Sequence, residues 1–148
     1  MKTEKSLKSR ALDYLARRDY SRWELKRKLA PYAEDEDELD ALLDEFAEKH
    51  WQSDERFVEN FVHSKSQKHG SLRLKQALKM KGVDEQTIAS FLPDKKTELA
   101  TAQAVWQKKF GRRAQTPQEK QKQIRFLLYR GFQMDVVMKV LKMDWDDY

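Results

Sequence analysis

The sequence predicts an all-α protein made of three tandem three-helix repeats. Apolar residues recur at helical spacing along nearly the whole chain, and no stretch alternates with a period of two. Only four Gly and three Pro occur in 148 residues, too few for an all-β fold with many tight turns. The chain also matches itself at a shift of 49 residues. Because a repeat this small cannot bury its own apolar face, we expect the repeats to stack into an elongated, curved array.

The first repeat is predicted over residues 1–52. Its second helix begins at Ser21, where Ser21 and Glu24 have the spacing of a capping box, in which the two side chains satisfy free backbone N–H groups. Its third helix is acidic. The apolar stripe of that helix is predicted to run through Leu39, Leu42, Leu43, Phe46, Ala47 and His50.

The second repeat is predicted over residues 53–93 and is basic. Ser53 is placed to cap its first helix, and Gly82 to end its second, because Gly enters the left-handed conformation freely. Pro93 should stop its third helix after Leu92.

The third repeat is predicted over residues 94–148, basic with an acidic C-terminal tail. Thr116 and Glu119 have the spacing of a second capping box, with Pro117 at the first helical position. Gly111 and Gly131 are expected at helix ends.

The internal period is clearest from residue 57 to 92, where no gap is needed. The shift of 49 takes Phe57 to Trp106, Gly82 to Gly131 and Ile88 to Val137. The first repeat joins less completely, because its opening helix has to be re-phased and an acidic stretch replaces the Gly turn. We therefore predict repeated three-helix units along the chain.

Charge is segregated along the chain. Residues 1–30 hold ten basic and four acidic side chains, residues 31–59 two and twelve, residues 60–130 sixteen and five, and residues 131–148 two and four. The net charge of +5 therefore hides two basic regions on either side of an acidic helix. Solvated helix faces are one explanation for such runs, but the excess over residues 60–130 favours a surface for a polyanion.

The candidate binding residues are the locally clustered cations. No helix concentrates Arg, Asn and Gln as a recognition helix does, so specific base readout is not indicated. On sequence, Lys68, Lys75 and Lys79 are predicted to share one helix face. The candidates are Arg17, Arg18, Arg22, Lys26, Lys65, Lys68, Arg73, Lys75, Lys79, Lys81, Lys108, Lys109, Arg112, Arg113, Lys122, Arg125 and Arg130.

Metal and cofactor sites are not predicted. The chain has no Cys, and its three His have no carboxylate partner at ligand spacing. The acidic run from Glu34 to Glu38 lacks the Gly and the alternating ligands of a calcium loop, and is explained by an acidic helix N-terminus. The four Trp are expected to pack in the core or at its edge. Trp145, in the acidic tail, is the one suspected of packing between repeats or on a partner.

Catalysis finds no support in the sequence either. There is no glycine-rich phosphate loop, no nucleophile constellation and no carboxylate pair in an apolar context. We therefore expect a protein that is not an enzyme and needs no cofactor. No secretory signal is visible at the charged N-terminus, and no apolar run approaches a membrane span, so we expect a cytoplasmic protein.

Three segments resemble the RecX family, bacterial regulators of the RecA recombinase. The stretch ALDYLARRDYSRWELKRKL at 11–29 is similar to the family's opening repeat. WQSDERF at 51–57, FVHSK at 61–65, GSLRL at 70–74 and the stretch from Leu78 to Val83 resemble its central segment, and RFLLYRGF at 125–132 resembles its third-repeat signature. The likeness extends over about residues 7–142, and three motifs occur in the same order at the same separations.

The resemblance implies three tandem three-helix repeats and a protein that binds the groove of the RecA–DNA filament. It further implies inhibition of ATP hydrolysis, strand exchange and co-protease activity, net filament disassembly, and weak non-specific binding to single- and double-stranded DNA by a monomer. His63 and His69 depart from the Arg or other residues common in relatives, which puts the DNA contact of the central helix in doubt. Two alternatives stay open: a helical DNA-binding transcriptional regulator and a helical-repeat adaptor between proteins.

Overall fold

The computed structural model describes residues 5–142. These residues form nine α-helices and no strand, which confirms the all-α prediction. The helices are α1 (Leu7–Arg17), α2 (Arg22–Leu29), α3 (Glu36–Glu48), α4 (Asp54–Lys65), α5 (Ser71–Met80), α6 (Glu85–Phe91), α7 (Lys95–Lys109), α8 (Pro117–Tyr129) and α9 (Met134–Lys142). A short 3-10 helix, Ala30–Tyr32, follows α2.

The chain divides into two compact units. The first comprises Met1–Asn60 and Leu78–Ser90, and the second comprises Phe61–Ala77 and Phe91–Tyr148. The sequence boundaries at 52/53 and 93/94 fall in the links that follow α3 and α6. The three-helix repeat and the compact unit are therefore different divisions of this chain, because α4 and α5 each contribute residues to both units.

Each unit has its own apolar core. In the first unit α1, α2 and α3 bury Ala11, Leu25, Leu29, Leu43 and Phe46 completely. In the second unit α7, α8 and α9 bury a cluster made of Ala102, Trp106, Leu127, Phe132, Val136, Val137 and Val140. Burying a large apolar side chain stabilises a fold by about 1.5–3 kcal/mol. Three of the helices at the contacts described below, α2, α8 and α9, are anchored in these clusters.

The two predicted capping boxes differ in the structure. At α2 the box is complete: the Glu24 N–H donates to the Ser21 hydroxyl at 3.1 Å, and the Ser21 N–H donates to the Glu24 carboxylate at 3.1 Å. At α8 Thr116 accepts from the Glu119 N–H at 3.1 Å, as expected. The Glu119 carboxylate, however, accepts from the Gln115 N–H at 2.6 Å. The second box is therefore displaced by one residue, because the Glu119 side chain reaches past the cap residue.

Three helix ends use glycine as predicted. Gly82, Gly111 and Gly131 have φ values of 76°, 70° and 93°, in the left-handed region. Ser53 caps α4 by accepting from the Arg56 N–H at 3.1 Å, also as predicted. The third helix of the second repeat ends at Phe91, one residue before the predicted end at Leu92.

The prediction that the stripe of α3 continues to His50 is wrong. The helix ends at Glu48, and His50 has a φ of 60°, in the left-handed region that His tolerates better than bulkier residues. The His50 N–H donates to the Ala47 carbonyl at 3.1 Å and the Trp51 N–H donates to the Phe46 carbonyl at 2.9 Å. This pair of bonds is a Schellman cap, so the chain leaves the helix before His50 can join the buried face.

The tryptophans divide between core and surface. Trp106 is buried and donates from Nε1 to the Gln123 amide oxygen at 2.9 Å. Trp23 and Trp51 lie at the surface with 43% and 41% of their area exposed. Trp145 lies outside the described residues.

Candidate nucleic-acid interface

One contact between repeats occurs twice, at positions related by the shift of 49. In the first unit the start of α2 rests on the turn between α5 and α6, where the Ser21 hydroxyl donates to the Lys81 carbonyl at 2.7 Å. A Cβ placed on Gly82 would overlap the side chain of Trp23. Glycine is therefore required at this turn both because its φ is positive and because α2 packs closely against it.

The equivalent contact in the second unit joins the start of α5 to the turn between α8 and α9. The Gly70 N–H donates to the Arg130 carbonyl at 2.8 Å, and the Leu72 N–H donates to the Gly131 carbonyl at 3.0 Å. A Cβ placed on Gly131 would lie 2.6 Å from the backbone nitrogen of Arg73. The shift of 49 takes Ser21 to Gly70, so the two contacts lie at equivalent positions, although the first is made by a side-chain hydroxyl and the second by backbone N–H groups.

At the first contact, acidic side chains form ion pairs with the nearby cations. Glu24, which is nearly buried, accepts from the Arg18 guanidinium at 3.3 Å and forms an ion pair with Lys81 at 3.2 Å. Burial raises the pKa of Glu24, but hydrogen bonds from Arg18, the Ser21 N–H and Lys81 outweigh it, so that the pKa of this carboxyl lies below its ordinary value. Asp19 accepts from the Arg56 guanidinium at 2.9 Å.

The acidic helix α3 neutralises further candidate residues of the first unit. Arg22 pairs with Asp44 at 2.7 Å, and Lys26 pairs with Glu36 and Asp40, each at 3.0 Å. Outside α3, Lys79 pairs with Glu85 at 2.7 Å. Arg18, Arg22, Lys26, Lys79 and Lys81 are therefore engaged in ion pairs within their own unit, and a phosphate would have to compete with a carboxylate for each of them.

The second contact has cations where the first has acids. The shift of 49 places Lys68 at the position of Asp19, Arg73 at that of Glu24 and Arg130 at that of Lys81. Among the described residues, no ion pair joins Lys68, Arg73 or Arg130 to a carboxylate. This contact therefore gathers positive charge that the fold does not offset.

Backbone carbonyls and aromatic rings hold these cations in place. Arg130 donates to the Lys68 carbonyl and Arg73 donates to the Tyr129 carbonyl, both at 3.4 Å. The Arg130 guanidinium lies 5.1 Å from the Phe126 ring centre, and the Lys109 ammonium lies 5.5 Å from the same centre. Cation–π contacts of this kind contribute about 0.5–1 kcal/mol at exposed sites. We call Lys65, Lys68, Arg73, Lys109 and Arg130 the basic cluster.

The pKa of His69 is affected by the positive charges of the basic cluster. Burial, followed by the positive charges of Arg73, Arg130, Lys65 and Lys68, lowers the pKa of the His69 imidazole below its ordinary value. The imidazole is half-buried in the turn before α5. Burial and the neighbouring cations therefore both favour the neutral form of the imidazole over the charged form.

The other candidate residues lie on several elements. Lys75 is on α5, Lys108 on α7, and Lys122 and Arg125 on α8, while Arg17 ends α1. Arg112 and Arg113 lie in the link between α7 and α8, where Arg113 and Lys120 line a cavity of about 210 Å³. The prediction that Lys68 shares a helix face with Lys75 and Lys79 is wrong, because Lys68 lies in the turn that precedes α5.

Sequence reasoning missed the aromatic partners of the basic cluster. Phe126 and Tyr129 were not among the candidate residues, although each ring has an arginine against it. It also missed which cations are neutralised. A comparison of charges at the shift of 49 would have shown that the acids Asp19 and Glu24 are replaced by the cations Lys68 and Arg73, but not which residues these cations contact.

Two further observations concern residues 5–142. No three His, Asp or Glu side chains come together there as a metal site would require, and no helix is long and apolar enough to cross a membrane. In the acidic run, Asp35 caps α3 by accepting from the Glu38 N–H at 2.8 Å.

Family models match all three repeats. Residues 8–46 match the first three-helix domain of RecX, residues 53–92 the second and residues 96–141 the third. The chain belongs to the RecX family. The "Regulatory protein RecX" of Neisseria meningitidis serogroup B is 56% identical over 147 residues, covering 99% of this chain and 96% of that protein.

Other RecX proteins agree with this assignment. The "Regulatory protein RecX" of Chromobacterium violaceum is 50% identical over 143 residues, with 97% of this chain and 93% of that protein covered. The crystal structure of RecX from Lactobacillus salivarius superposes with a TM-score of 0.81 at 19% identity, covering 92% of each chain. The Neisseria and Chromobacterium proteins are named as regulatory proteins, and the solved structure shares the fold of this chain.

Proposed function

We propose that this RecX protein binds the filament that the RecA recombinase forms on DNA and inhibits it. In this proposal it lowers ATP hydrolysis, strand exchange and co-protease activity and promotes filament disassembly. It acts in the cytoplasm as a monomer without a cofactor. Membership of the RecX family supports the choice of partner. The observation that supports nucleic-acid contact is the basic cluster of the second unit, whose cations have no carboxylate partner among the described residues.

The basic cluster binds phosphates by replacing condensed counterions. Each phosphate contact should contribute a slope of about −0.9 to the logarithm of affinity against the logarithm of salt on duplex, or about −0.7 on single strands. The ion-paired cations of the first unit contribute less, because a phosphate must first displace Glu24 or an acid of α3. Binding is weak and independent of sequence, since phosphate contacts fix position and do not read bases.

In this proposal the three repeats contact different partners in the filament. The first repeat, several of whose cations are held in ion pairs, contacts recombinase subunits, and the second and third repeats contact both subunits and DNA. Several contacts along one chain add avidity. A protein bridging adjacent subunits holds them in one relative orientation, which hinders the motion that ATP turnover needs.

The test is the RecA ATPase on single-stranded DNA with sub-stoichiometric amounts of this protein. The wild type should inhibit, and the double variant Arg73→Gln/Arg130→Gln should inhibit much less while keeping its helical circular dichroism spectrum. The matched control is Arg22→Gln/Lys26→Gln, which removes the same charge from ion-paired positions and should inhibit nearly as the wild type does.

Three results would contradict the proposal. Equal inhibition by both double variants would remove the basic cluster from the interface. A preferred DNA site in a selection experiment would indicate a transcriptional regulator. Partner binding that does not depend on salt, with no DNA affinity, would indicate an adaptor between proteins.

A further inference from the structure

Tyr129 is the most exposed large hydrophobic or aromatic side chain among the described residues. It has 76% of its area accessible, whereas Phe126, one turn earlier on α8, is half-buried between cations and the Phe110 ring. Tyr129 is the last residue of α8, next to Arg130. An aromatic ring at this exposure gives up the stabilisation that burial would bring, so its packing in the fold does not explain it.

Arg73 holds Tyr129 within the basic cluster. The Arg73 guanidinium carbon lies 5.3 Å from the centre of the Tyr129 ring, and the same guanidinium donates to the Tyr129 carbonyl at 3.4 Å. Arg73 itself is half-buried and has no carboxylate partner among residues 5–142. The ring is therefore placed beside a fixed positive charge while most of its surface stays open to solvent.

A fixed cation beside an open aromatic ring suits one nucleotide of a single strand. The cations contact the phosphates, and the ring offers a π-face on which an unpaired base can stack. A duplex engages the same cations through its phosphates, but its bases are already stacked on each other and present only their edges in the grooves. The ring therefore adds affinity for a single strand and not for a duplex.

We propose that Tyr129 is a base-stacking residue that makes the basic cluster prefer single-stranded over double-stranded nucleic acid. This inference rests on the proposed function, because it needs the basic cluster to contact phosphates. The partner favoured here is a nucleic acid and not a protein, because Tyr129 lies against Arg73 and directly precedes Arg130, and the charges of the basic cluster complement a polyanion.

The experiment compares the affinities of full-length variants for two labelled oligonucleotides by fluorescence anisotropy at low salt. The probes are a 20-nucleotide oligo-dT strand and a 20-base-pair duplex. Tyr129→Ala should weaken single-strand binding by about 5- to 100-fold, the range measured for the loss of one stacked base, and should change duplex binding less than about twofold. Tyr129→Phe keeps the ring and should bind as the wild type does.

A matched control and an abasic strand separate stacking from other effects. Tyr32 is also an exposed tyrosine, at 50%, with the Arg10 guanidinium 3.8 Å from its ring centre, but it lies in the first unit. Tyr32→Ala should leave both affinities unchanged. On a strand of abasic sites, which keeps the phosphates and lacks bases, Tyr129→Ala and the wild type should bind equally.

Each contrary outcome has a distinct meaning. An equal loss on strand and duplex, or a loss with Tyr129→Phe as large as with Tyr129→Ala, would overturn stacking and leave the phosphate contact standing. Weaker RecA inhibition by Tyr129→Ala at unchanged single-strand affinity would assign the ring to the recombinase and also overturn the inference. Wild-type protein that binds neither probe would show that the proposed function has failed first.

Discussion

The two contacts between repeats lie at equivalent positions and have opposite electrostatics. At the first, Glu24 pairs with Arg18 and Lys81, and Asp19 pairs with Arg56. At the second, the positions of Asp19 and Glu24 hold Lys68 and Arg73. The carbonyl at position 81 or 130, which accepts a hydrogen bond in both contacts, and the left-handed glycine that follows it show what the fold needs to join repeats. The charges at these positions differ between the contacts, so joining repeats does not require a particular charge there. The charge of this surface can therefore differ between repeats according to function.

The largest expected effect comes from removing the shared glycine. Gly131→Ala should destabilise the protein by about 2–5 kcal/mol, because left-handed strain costs about 1–2 kcal/mol and the overlap with Arg73 about 1–3 kcal/mol more. Gly82→Ala should behave similarly against Trp23. Urea unfolding measures both.

Gly111→Ala is the control for conformational strain alone. Gly111 has a φ of 70°, but a Cβ there would lie 3.3 Å from its nearest neighbour, the Gln107 carbonyl. The loss should stay near 1–2 kcal/mol. Equal losses at all three glycines would mean that the contacts between repeats contribute nothing beyond the turn conformation.

The second largest effect is expected from reversing a charge at the second contact, which tests whether charge is what distinguishes it from the first. Arg73→Glu places an acid in the second contact at the position equivalent to Glu24 of the first. The new carboxylate would have Arg130 at the position that Lys81 occupies in the first contact. DNA affinity should fall by about tenfold or more at low salt, with the salt slope shallower by about 1 or more. Stability should hold, because the new carboxylate gains an arginine partner.

Lys96→Glu serves as the control, since it changes the charge by the same amount at an exposed position in the first turn of α7, at the other end of that helix from Lys109. A loss of affinity as large as that of Arg73→Glu would indicate a general effect of net charge. Titration of labelled DNA at several salt concentrations distinguishes the two cases.

A smaller effect is expected from the acid of the first contact. Glu24→Gln should cost about 1–2 kcal/mol of stability at pH 7, because Arg18 and Lys81 lose their partner while remaining partly hydrated. The pKa of Glu24 is lower in the folded protein than when unfolded. Its contribution is therefore present above the unfolded pKa and lost as the pH falls through the folded value.

The difference in stability between wild type and Glu24→Gln should accordingly shrink as the pH is lowered through the acid range. Urea unfolding at pH 7 and in that range checks this. A difference that does not change with pH would mean that shape and capping, and not the charge of Glu24, stabilise the first contact.

The smallest effect concerns His69. Its pKa is lowered in the folded protein, so its neutral form favours folding above the unfolded pKa, and that contribution is lost as the pH falls below it. Bound phosphates should offset Arg73 and Arg130 and raise the pKa of His69. An NMR titration of the imidazole with and without oligo-dT measures the shift. An unchanged pKa would place the bound DNA away from the basic cluster.

The elements that could be predicted from sequence are those fixed by local chemistry. Ser21, Ser53 and the three left-handed glycines determine helix ends through bonds within a few residues, and the structure confirms them. His50 was misplaced because its hydrophobic spacing fits α3, while the Schellman bonds that remove it depend on the chain that follows.

The candidate site could be predicted only as a list of cations. Nothing in the local sequence shows that Lys26 pairs with Asp40 while Arg73 pairs with no acid among residues 5–142, since ion pairing depends on helices brought together by tertiary packing. The same holds for Tyr129, whose partner Arg73 is 56 residues away.

The start of α8 is the position at which the turn of another copy of the protein would dock if the repeat contact were extended between molecules. A head-to-tail contact that can be made twice could in principle be made again with another copy, which would produce an open fibre. At α5 the first backbone donors are satisfied by the turn that docks on them, whereas at α8 Thr116 and Glu119 satisfy the N–H groups of Glu119 and Gln115 from within the same segment. The capping box of α2 is closed within its segment in the same way, and its turn docks through the Ser21 hydroxyl. A further copy docking at α8 would therefore have to use the Thr116 hydroxyl, the corresponding cap group.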